Sequence, residues 1–263
     1  MKMAFYRGAL RPWLKDSREF LRRTRRISVF RRHLNQFRVS LKESSVDWDF
    51  GNEYPCLDDF GDSAGVAKGH YFHQDLYVAQ SIYADQPERH LDVGSRIDGF
   101  VAHVATYREI DVADIRPINS KVRNIRFHQV NFMNVDAVKS LGTWPSVSCL
   151  HALEHFGLGR YGDPVDPDGW LTGLQSLATV VEGGGRLYLS VPIGIQRIEF
   201  NAHRVFSPET ILRAAENWFE FCGFSYVNDE GDFFRLDSIT DGQLPSDIKK
   251  MDYGCGIFTF RKK

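Results

Sequence analysis

Residues 90–100 read HLDVGSRIDGF. Leu91 and Val93 flank Asp92, Gly94 follows, a short polar turn leads to Gly99, and Phe100 and Val101 resume the apolar pattern. That order reads as a buried parallel strand, a tight turn and the first turn of a helix. A helix N-terminus offers free N–H groups and a partial positive charge, so the loop suits a nucleotide or a similar ligand. Gly94 lets the backbone approach such a ligand without a Cβ in the way. The dinucleotide fingerprint asks for G-x-G-x-x-G, and Arg96 stands where its second glycine belongs. The loop by itself therefore does not choose its nucleotide.

Outward from this stretch the pattern alternates. Residues 99–107 read as a helix, 109–115 as a second strand, 125–130 as a third and 146–150 as a fourth. A helix over 169–181 and three glycines lead into a fifth strand at 186–191; a helix over 208–219 and strands at 224–228 and 256–261 close the chain. Strands alternating with helices at this rhythm predict a doubly wound, mostly parallel α/β sheet. Asp114 stands 22 residues after Asp92, near the ~20-residue offset at which a strand-end carboxylate accepts hydrogen bonds from a ribose.

The chain has 263 residues and a formal charge of -1, which conceals an asymmetry. Residues 1–42 carry 13 Lys and Arg against Asp16 and Glu19, a net of +11; the rest carries 20 basic and 32 acidic residues, a net of -12. Phe20, Ile27, Phe30, Leu34, Phe37 and Leu41 fall on one stripe of a helix of about 25 residues starting near Asp16, with Asp16 and Glu19 as a capping pair. Its opposite face is mostly arginine. The arrangement predicts a basic amphipathic helical arm and linker over 1–60, followed by an α/β domain over 61–263. The arm packs on the domain or docks on an anionic membrane surface or a protein partner; nucleic acid is disfavoured by the acidic remainder. Cys56, Cys149, Cys222 and Cys255 form no C-x-x-C pair, no apolar run approaches the ~18 residues that cross a bilayer, and the start has no apolar core of a secretory signal. The expected location is the cytoplasm, or the inner face of the membrane if the arm docks there.

In order and spacing, LDVGS, ADIRP, HQVNF, SCLHALEHF, EGGGRLYLSVP and the closing pair SYVND and GIFTFRK resemble the class I S-adenosylmethionine-dependent methyltransferases over roughly residues 85–263. The resemblance implies a seven-stranded Rossmann-like sheet ending in an antiparallel hairpin, with S-adenosylmethionine as cofactor. GHYFHQDL, HFGLGRYGDPVDPDGW and EFNAHRVFSPET resemble an uncharacterised bacterial subfamily of that fold often found near surface-polysaccharide genes, which implies a glycan-related role. By the same resemblance Asp92, Gly94 and Ser95 hold the methionine end of the cofactor and Asp114 its ribose. Asn131 meets the adenine amino group, Phe132 the adenine ring, and His151 and Leu153 line the cofactor near the sulfonium. Arg96 and Asn131 depart from the residues commonest there, so a catalytically inert accessory protein of the fold is the alternative to an enzyme that methylates a small-molecule, glycan or nucleotide-sugar acceptor at oxygen.

Ligands of open α/β sheets sit beyond the carboxyl ends of the strands, where His151, Glu154 and His155 fall. His155 is the first candidate for general base, because an imidazole titrates near neutral pH; Glu154 and His203 are the other catalytic candidates. Residues 151–155 also spell H-x-x-E-H, a zinc-protease spelling that needs both histidines on one helical face; following a buried strand directly, it is not read as a metal site. Asp163, Asp166 and Asp168 crowd one loop, as oxygen ligands for a divalent ion or as acceptors for sugar hydroxyls; the prolines restrict folding round an ion, and no metal is assigned. Tyr71 and His73 ahead of the first strand, and Arg204 after the fifth, complete the acceptor-binding candidates, Arg204 as a partner for a phosphate or carboxylate.

Overall fold

A computed structural model describes residues 5–236 and 247–263. By contact the chain divides into two units, Met1–Val66 and Ala67–Lys263. Among its described residues the first contains one helix, α1 (Phe5–Lys42). It begins well before Asp16, so Asp16 and Glu19 lie inside it and do not cap it. The segment after α1 is tied to it by Arg26–Asp58 and Arg38–Glu53 ion pairs (2.7 and 2.9 Å) and by an edge-to-face contact of Phe37 with Phe50. Exposed pairs of this kind stabilise by at most about 1 kcal/mol each. No described helix is long and apolar enough to cross a membrane.

The second unit opens with α2 (His70–Asp85) and continues through β1 (Leu91–Val93), β2 (Ile110–Asp114), β3 (Ile125–Gln129), β4 (Trp144–Leu150) and β5 (Val181–Ile193). Between them lie α3 (Ala102–Ala105), α4 (Val135–Val138) and α5 (Gly169–Val180). A small ribbon of β6 (Arg197–Glu199) and β7 (His203–Val205), then α6 (Pro208–Ala215), β8 (Phe219–Val227), β9 (Phe233–Leu236) and β10 (Gly254–Lys262) complete it. The main sheet runs β3-β2-β1-β4-β5-β10-β8-β9. β1 to β5 pair in parallel; β10 runs antiparallel between β5 and β8, and β9 adds a further antiparallel edge. The expected seven strands are thus eight: β9 is too short and too exposed for its alternation to stand out.

Side-chain alternation divides the core. Leu91, Val93, Phe258 and Phe260 face the side covered by α4, α5 and α6, with Val138, Leu174, Leu177 and Ile211 fully buried there. Val112, Ile257 and Ile110 face α2, the turn Ile97–Val101 and α3, which contribute Val78, Ile82, Val101 and Val104. Burial of each such Leu, Ile or Val stabilises the sheet by roughly 1.5–3 kcal/mol. The predicted helix over 99–107 is a π turn (Ile97–Val101) leading into the single turn of α3, because Gly99 departs from helical geometry. The glycines at 183–185 lie within β5, where a register shift against β4 absorbs Gly184 at φ 79°.

Candidate functional site

Beyond the carboxyl ends of β1 to β4 lies a cavity of about 540 Å³, the place where open α/β sheets take ligands. Gly94 forms its floor at β1, with φ 73° and its N–H bonded to the Ala113 carbonyl (2.9 Å). A Cβ there would stand 2.9 Å from the Ala152 Cβ, so a side chain at 94 would close the space between the first and fourth strand ends. Asp114 ends β2 on the cavity wall, and Arg116 already grips its carboxylate: the Arg116 N–H and Nε donate to Oδ1 (2.8 and 3.0 Å) and Nη2 to Oδ2 (2.6 Å). A carboxylate has about four acceptor positions, which leaves one for a ligand hydroxyl. Phe132 and Asn131 line the wall after β3, with Asn131 Oδ1 accepting from the Met133 N–H (2.9 Å).

Asp92 and Ser95 are not on that wall. Expected to touch the cofactor, they are buried beneath the loop and hold it from below: the Ser95 N–H and hydroxyl and the Ser148 hydroxyl all donate to the Asp92 carboxylate. Ser148 Oγ also meets His90 Nε2 (2.9 Å), and His90 Nδ1 meets Ser146 Oγ (2.8 Å). With Ser148 donating to Asp92, His90 Nε2 must carry the proton that bonds Ser148, and the ring is neutral. Burial drops His90 to about 3 and lifts Asp92 to about 7, against the pull of Ser148 and Ser95.

The two groups oppose each other in the pH dependence of stability. The unfolded chain binds a proton at His90 that the folded chain refuses, so stability from this group rises with pH between about 3 and 6.5. At Asp92 the folded chain holds the proton longer, so stability from this group falls between 3.8 and about 7. Each slope is about 1.4 kcal/mol per pH unit. Asp92→Asn removes one of them. Urea unfolding from pH 3.8 to 6.5 should then show stability climbing with pH more steeply in the variant than in the native chain; equal slopes would refute the assignment.

The end of β4 carries the densest chemistry. His151 sits at φ 49°, an uncommon region for a residue with a side chain, held by bonds from its N–H to the carbonyl and hydroxyl of Ser190. Its Nδ1 meets Glu154 Oε1 at 2.9 Å, and its Nε2 is buried with no partner. Burial works against charge on either group, yet the pair holds it: Cys255 and Glu154 keep His151 well above its ordinary value, and His151 keeps Glu154 below its own. His155 lines the cavity one turn on. Its Nδ1 bonds the Ala202 carbonyl (2.7 Å), and its Nε2 is 3.7 Å from Glu154 Oε1. Burial lowers the His155 pKa, with Glu154 and the Ala202 carbonyl pulling the other way.

The remaining candidates separate. Tyr71, Asp163 and His203 reach the cavity. His203 packs at a tilt against Tyr253 (4.8 Å, 49° between planes), and its Nε2 is 3.6 Å from Glu199. Asp163 spends its carboxylate on the loop itself, accepting from the N–H groups of Gly157, Tyr161 and Gly159. Asp166 accepts from the Asp168 N–H, and neither it nor Asp168 lines the cavity, so the three carboxylates do not converge. His73 stacks on Phe233 away from the cavity. Arg204, expected to meet an acceptor anion, is 4% exposed and donates to the carbonyls of Glu154, Phe156, Asp166 and Pro167. It locks the β4 loop to the acidic loop. Arg116, Arg160, Tyr161 and Tyr253 also line the cavity and escaped the sequence reading. The only signal for Arg116 was its place two residues after the β2 carboxylate.

The parallel β3-β2-β1-β4-β5 order with β10 inserted antiparallel, and a cleft at the strand ends, define the class I methyltransferase fold. Residues 109–240, half of the chain, match the model of the family described as "Caenorhabditis protein of unknown function, DUF268", and the chain belongs to that family. The structure is similar to Burkholderia thailandensis 1,6-didemethyltoxoflavin-N1-methyltransferase, solved with 1,6-didemethyltoxoflavin and S-adenosylhomocysteine bound (15% identity, 72% of this chain and 78% of that one, TM-score 0.52). It is also similar to the [4+2]-cyclase SpnF (15% identity, 72% and 80%, TM-score 0.51). No curated protein sequence matches the chain. Likeness at such identity establishes the fold, and the names of these two neighbours show that one fold serves more than one reaction.

Proposed function

We propose that the protein is an S-adenosylmethionine-dependent methyltransferase that methylates a small-molecule acceptor at oxygen, with glycans and nucleotide-sugars as the acceptor class. The observation that carries this reading is the single cavity bounded by Gly94 at positive φ on one side and by His155 on the other. The residues fit the cofactor: Gly94 leaves the open cradle that a Cβ would obstruct, Asp114 keeps an acceptor position for a ribose hydroxyl, and Asn131 and Phe132 offer a polar edge and an apolar face to a base. When bound, S-adenosylmethionine supplies a methyl group on a sulfonium, whose C–S bond breaks with its electron pair left on sulfur.

The chain's part is to position the acceptor and take its proton. His155 Nδ1–H donates to the Ala202 carbonyl, which fixes the tautomer and leaves Nε2 as the acceptor nitrogen. His155 accepts the hydroxyl proton at Nε2 as the acceptor oxygen forms its bond to carbon. Glu154 stands close enough to stabilise the resulting imidazolium. Tyr71, His203 and Tyr253 line this end of the cavity. The basic arm over 1–60 serves as a docking element for an anionic surface or protein partner; removal of residues 1–42 should abolish liposome flotation, and unchanged flotation would discard the surface reading.

Calorimetric titration with S-adenosylmethionine, S-adenosylhomocysteine and NAD tests the central claim. Micromolar binding of the first two, with none of NAD, is expected. Failure of both to bind would leave the accessory-protein alternative in its place.

A further inference from the structure

His151 lines the cavity, and on its side away from Glu154 it belongs to a second group of three side chains. One ring nitrogen each of His70 and His151 and the Cys255 sulfur lie within 4.8 Å of one another. The three come from separate elements: the first residue of α2, the residue after β4, and β10. They form the one such His/Cys/Asp/Glu group found among the described residues. His151 and Cys255 are buried, at 8% and 0% exposure, and His70 is half-buried.

Both imidazoles are arranged as metal ligands usually are, with one ring nitrogen fixed by an outer partner and the other left free. His151 Nδ1 is bonded to the Glu154 carboxylate (2.9 Å), and its buried Nε2 has no hydrogen-bond partner; a metal takes the place of the proton at Nε2, as metal binding releases protons from its ligands. His70 Nε2 donates to the Tyr253 carbonyl (3.1 Å), which leaves its Nδ1. An unpartnered buried ring nitrogen is costly, and a cation shared with a thiolate removes that cost. We propose that His70, His151 and Cys255 form a site for a divalent transition metal of the zinc class. Two nitrogens and one sulfur suit zinc over magnesium or calcium, which select oxygen. Three protein ligands leave a tetrahedral ion one open position, the composition of a site that binds a further small ligand.

Ligand atoms on one tetrahedral zinc stand about 3.3–3.6 Å apart, given the usual Zn–N and Zn–S lengths. The group therefore closes by about 1 Å on loading. His70 makes that movement: it lies parallel to His151, at a ring separation of 5.2 Å and 10° between planes, and it must swing to aim its nitrogen at a common centre. His155 has no part in the site, so the H-x-x-E-H spelling contributes only His151 as ligand and Glu154 as its support. The site shares His151 and Glu154 with the cavity, but its test reads metal uptake, which does not depend on methyl transfer.

Metal analysis of the full-length chain purified without chelator tests the proposal. One zinc per chain is expected, or, after chelation, uptake of one Co(II) with a thiolate-to-cobalt absorption band in the near ultraviolet. Cys255→Ser should remove the band and His70→Asn should abolish stoichiometric uptake, each with an unchanged far-ultraviolet circular dichroism spectrum. Glu154→Gln should keep the band and weaken affinity tenfold to hundredfold. The double variant Cys56→Ser/Cys222→Ser, which removes the exposed thiols, should keep both band and stoichiometry. No stoichiometric uptake by the native chain, a band that survives Cys255→Ser, or a band lost with the exposed thiols would each overturn the site. Cys255 is fully buried in the sheet, where a substitution can disturb folding, whereas His70→Asn at the half-buried start of α2 removes a ligand without touching the core. Native affinity in that variant also overturns the site.

Discussion

Gly94→Ala weakens S-adenosylhomocysteine binding by two orders of magnitude or more and lowers stability by about 1–3 kcal/mol. Two effects combine. The backbone at φ 73° imposes a strain of roughly 1–2 kcal/mol on a residue with a Cβ. The added carbon also meets the Ala152 Cβ at 2.9 Å, well inside the ~3.5–4.0 Å of a comfortable carbon contact. The loop must then retreat from the fourth strand end, and its N–H to Ala113 (2.9 Å) is the bond that resists. Since that loop is the cavity floor, the displacement is felt by any ligand laid across it. Ala152→Gly in the same chain removes the clash but not the strain, and should restore part of the stability. Calorimetry and urea unfolding on the two variants separate these contributions. Wild-type affinity in Gly94→Ala would show that the cofactor is not held at β1.

The same glycine explains why the fold was legible from residues 90–100. Leu91 and Val93 mark a short buried strand although Asp92 lies between them and Glu88, Arg89 and His90 precede it, and a backbone that must turn sharply at the strand's end needs Gly, which Gly94 supplies. The helix α2 was hidden for the opposite reason. Two of its five buried residues, Gln74 and Asp75, are polar: Gln74 Oε1 accepts from the buried Ser190 hydroxyl (2.5 Å), and Gln74 Nε2 donates to Asp75 Oδ1 (3.0 Å). The ribbon of β6 and β7 was hidden by length: three-residue strands give too few alternations to count.

Within the site, position along the chain was readable while the direction of each side chain was not. Asp92, Asp114 and His155 all end strands or follow them. Only the structure shows that Asp92 turns down to Ser95 and Ser148 while Asp114 turns out to Arg116. Arg204 illustrates the limit most clearly. A guanidinium near a ligand mouth suggests an anion, but five donors serve equally well to satisfy loop carbonyls that would otherwise be buried unpaired, and four carbonyls take them here. Cys255 gave no sequence signal at all, since its neighbours His70 and His151 are 185 and 104 residues away.

His155→Asn lowers kcat by a factor of about 10²–10⁴, the usual contribution of a positioned general base, and leaves S-adenosylhomocysteine affinity unchanged. The asparagine amide can still donate to the Ala202 carbonyl, so the loop keeps its tie while the accepting nitrogen is lost. The pH profile supplies a second, independent reading. Burial depresses the His155 pKa below 6.5, so the base stays unprotonated, and turnover persists, at pH values where an ordinary histidine has already been charged. Turnover falls only as the pH drops through that lowered value. The Arg160 charge adds to the depression; its guanidinium donates to the same Ala202 carbonyl (2.8 Å). Arg160→Leu therefore shifts the acidic limb of kcat toward higher pH, because the imidazolium no longer faces a like charge. Transfer of labelled methyl groups from S-adenosylmethionine to an acceptor found among glycans and nucleotide-sugars provides the assay. An unchanged kcat in His155→Asn would move the proton acceptor elsewhere, and an acidic limb that stays in place in Arg160→Leu would show that the limb belongs to another group.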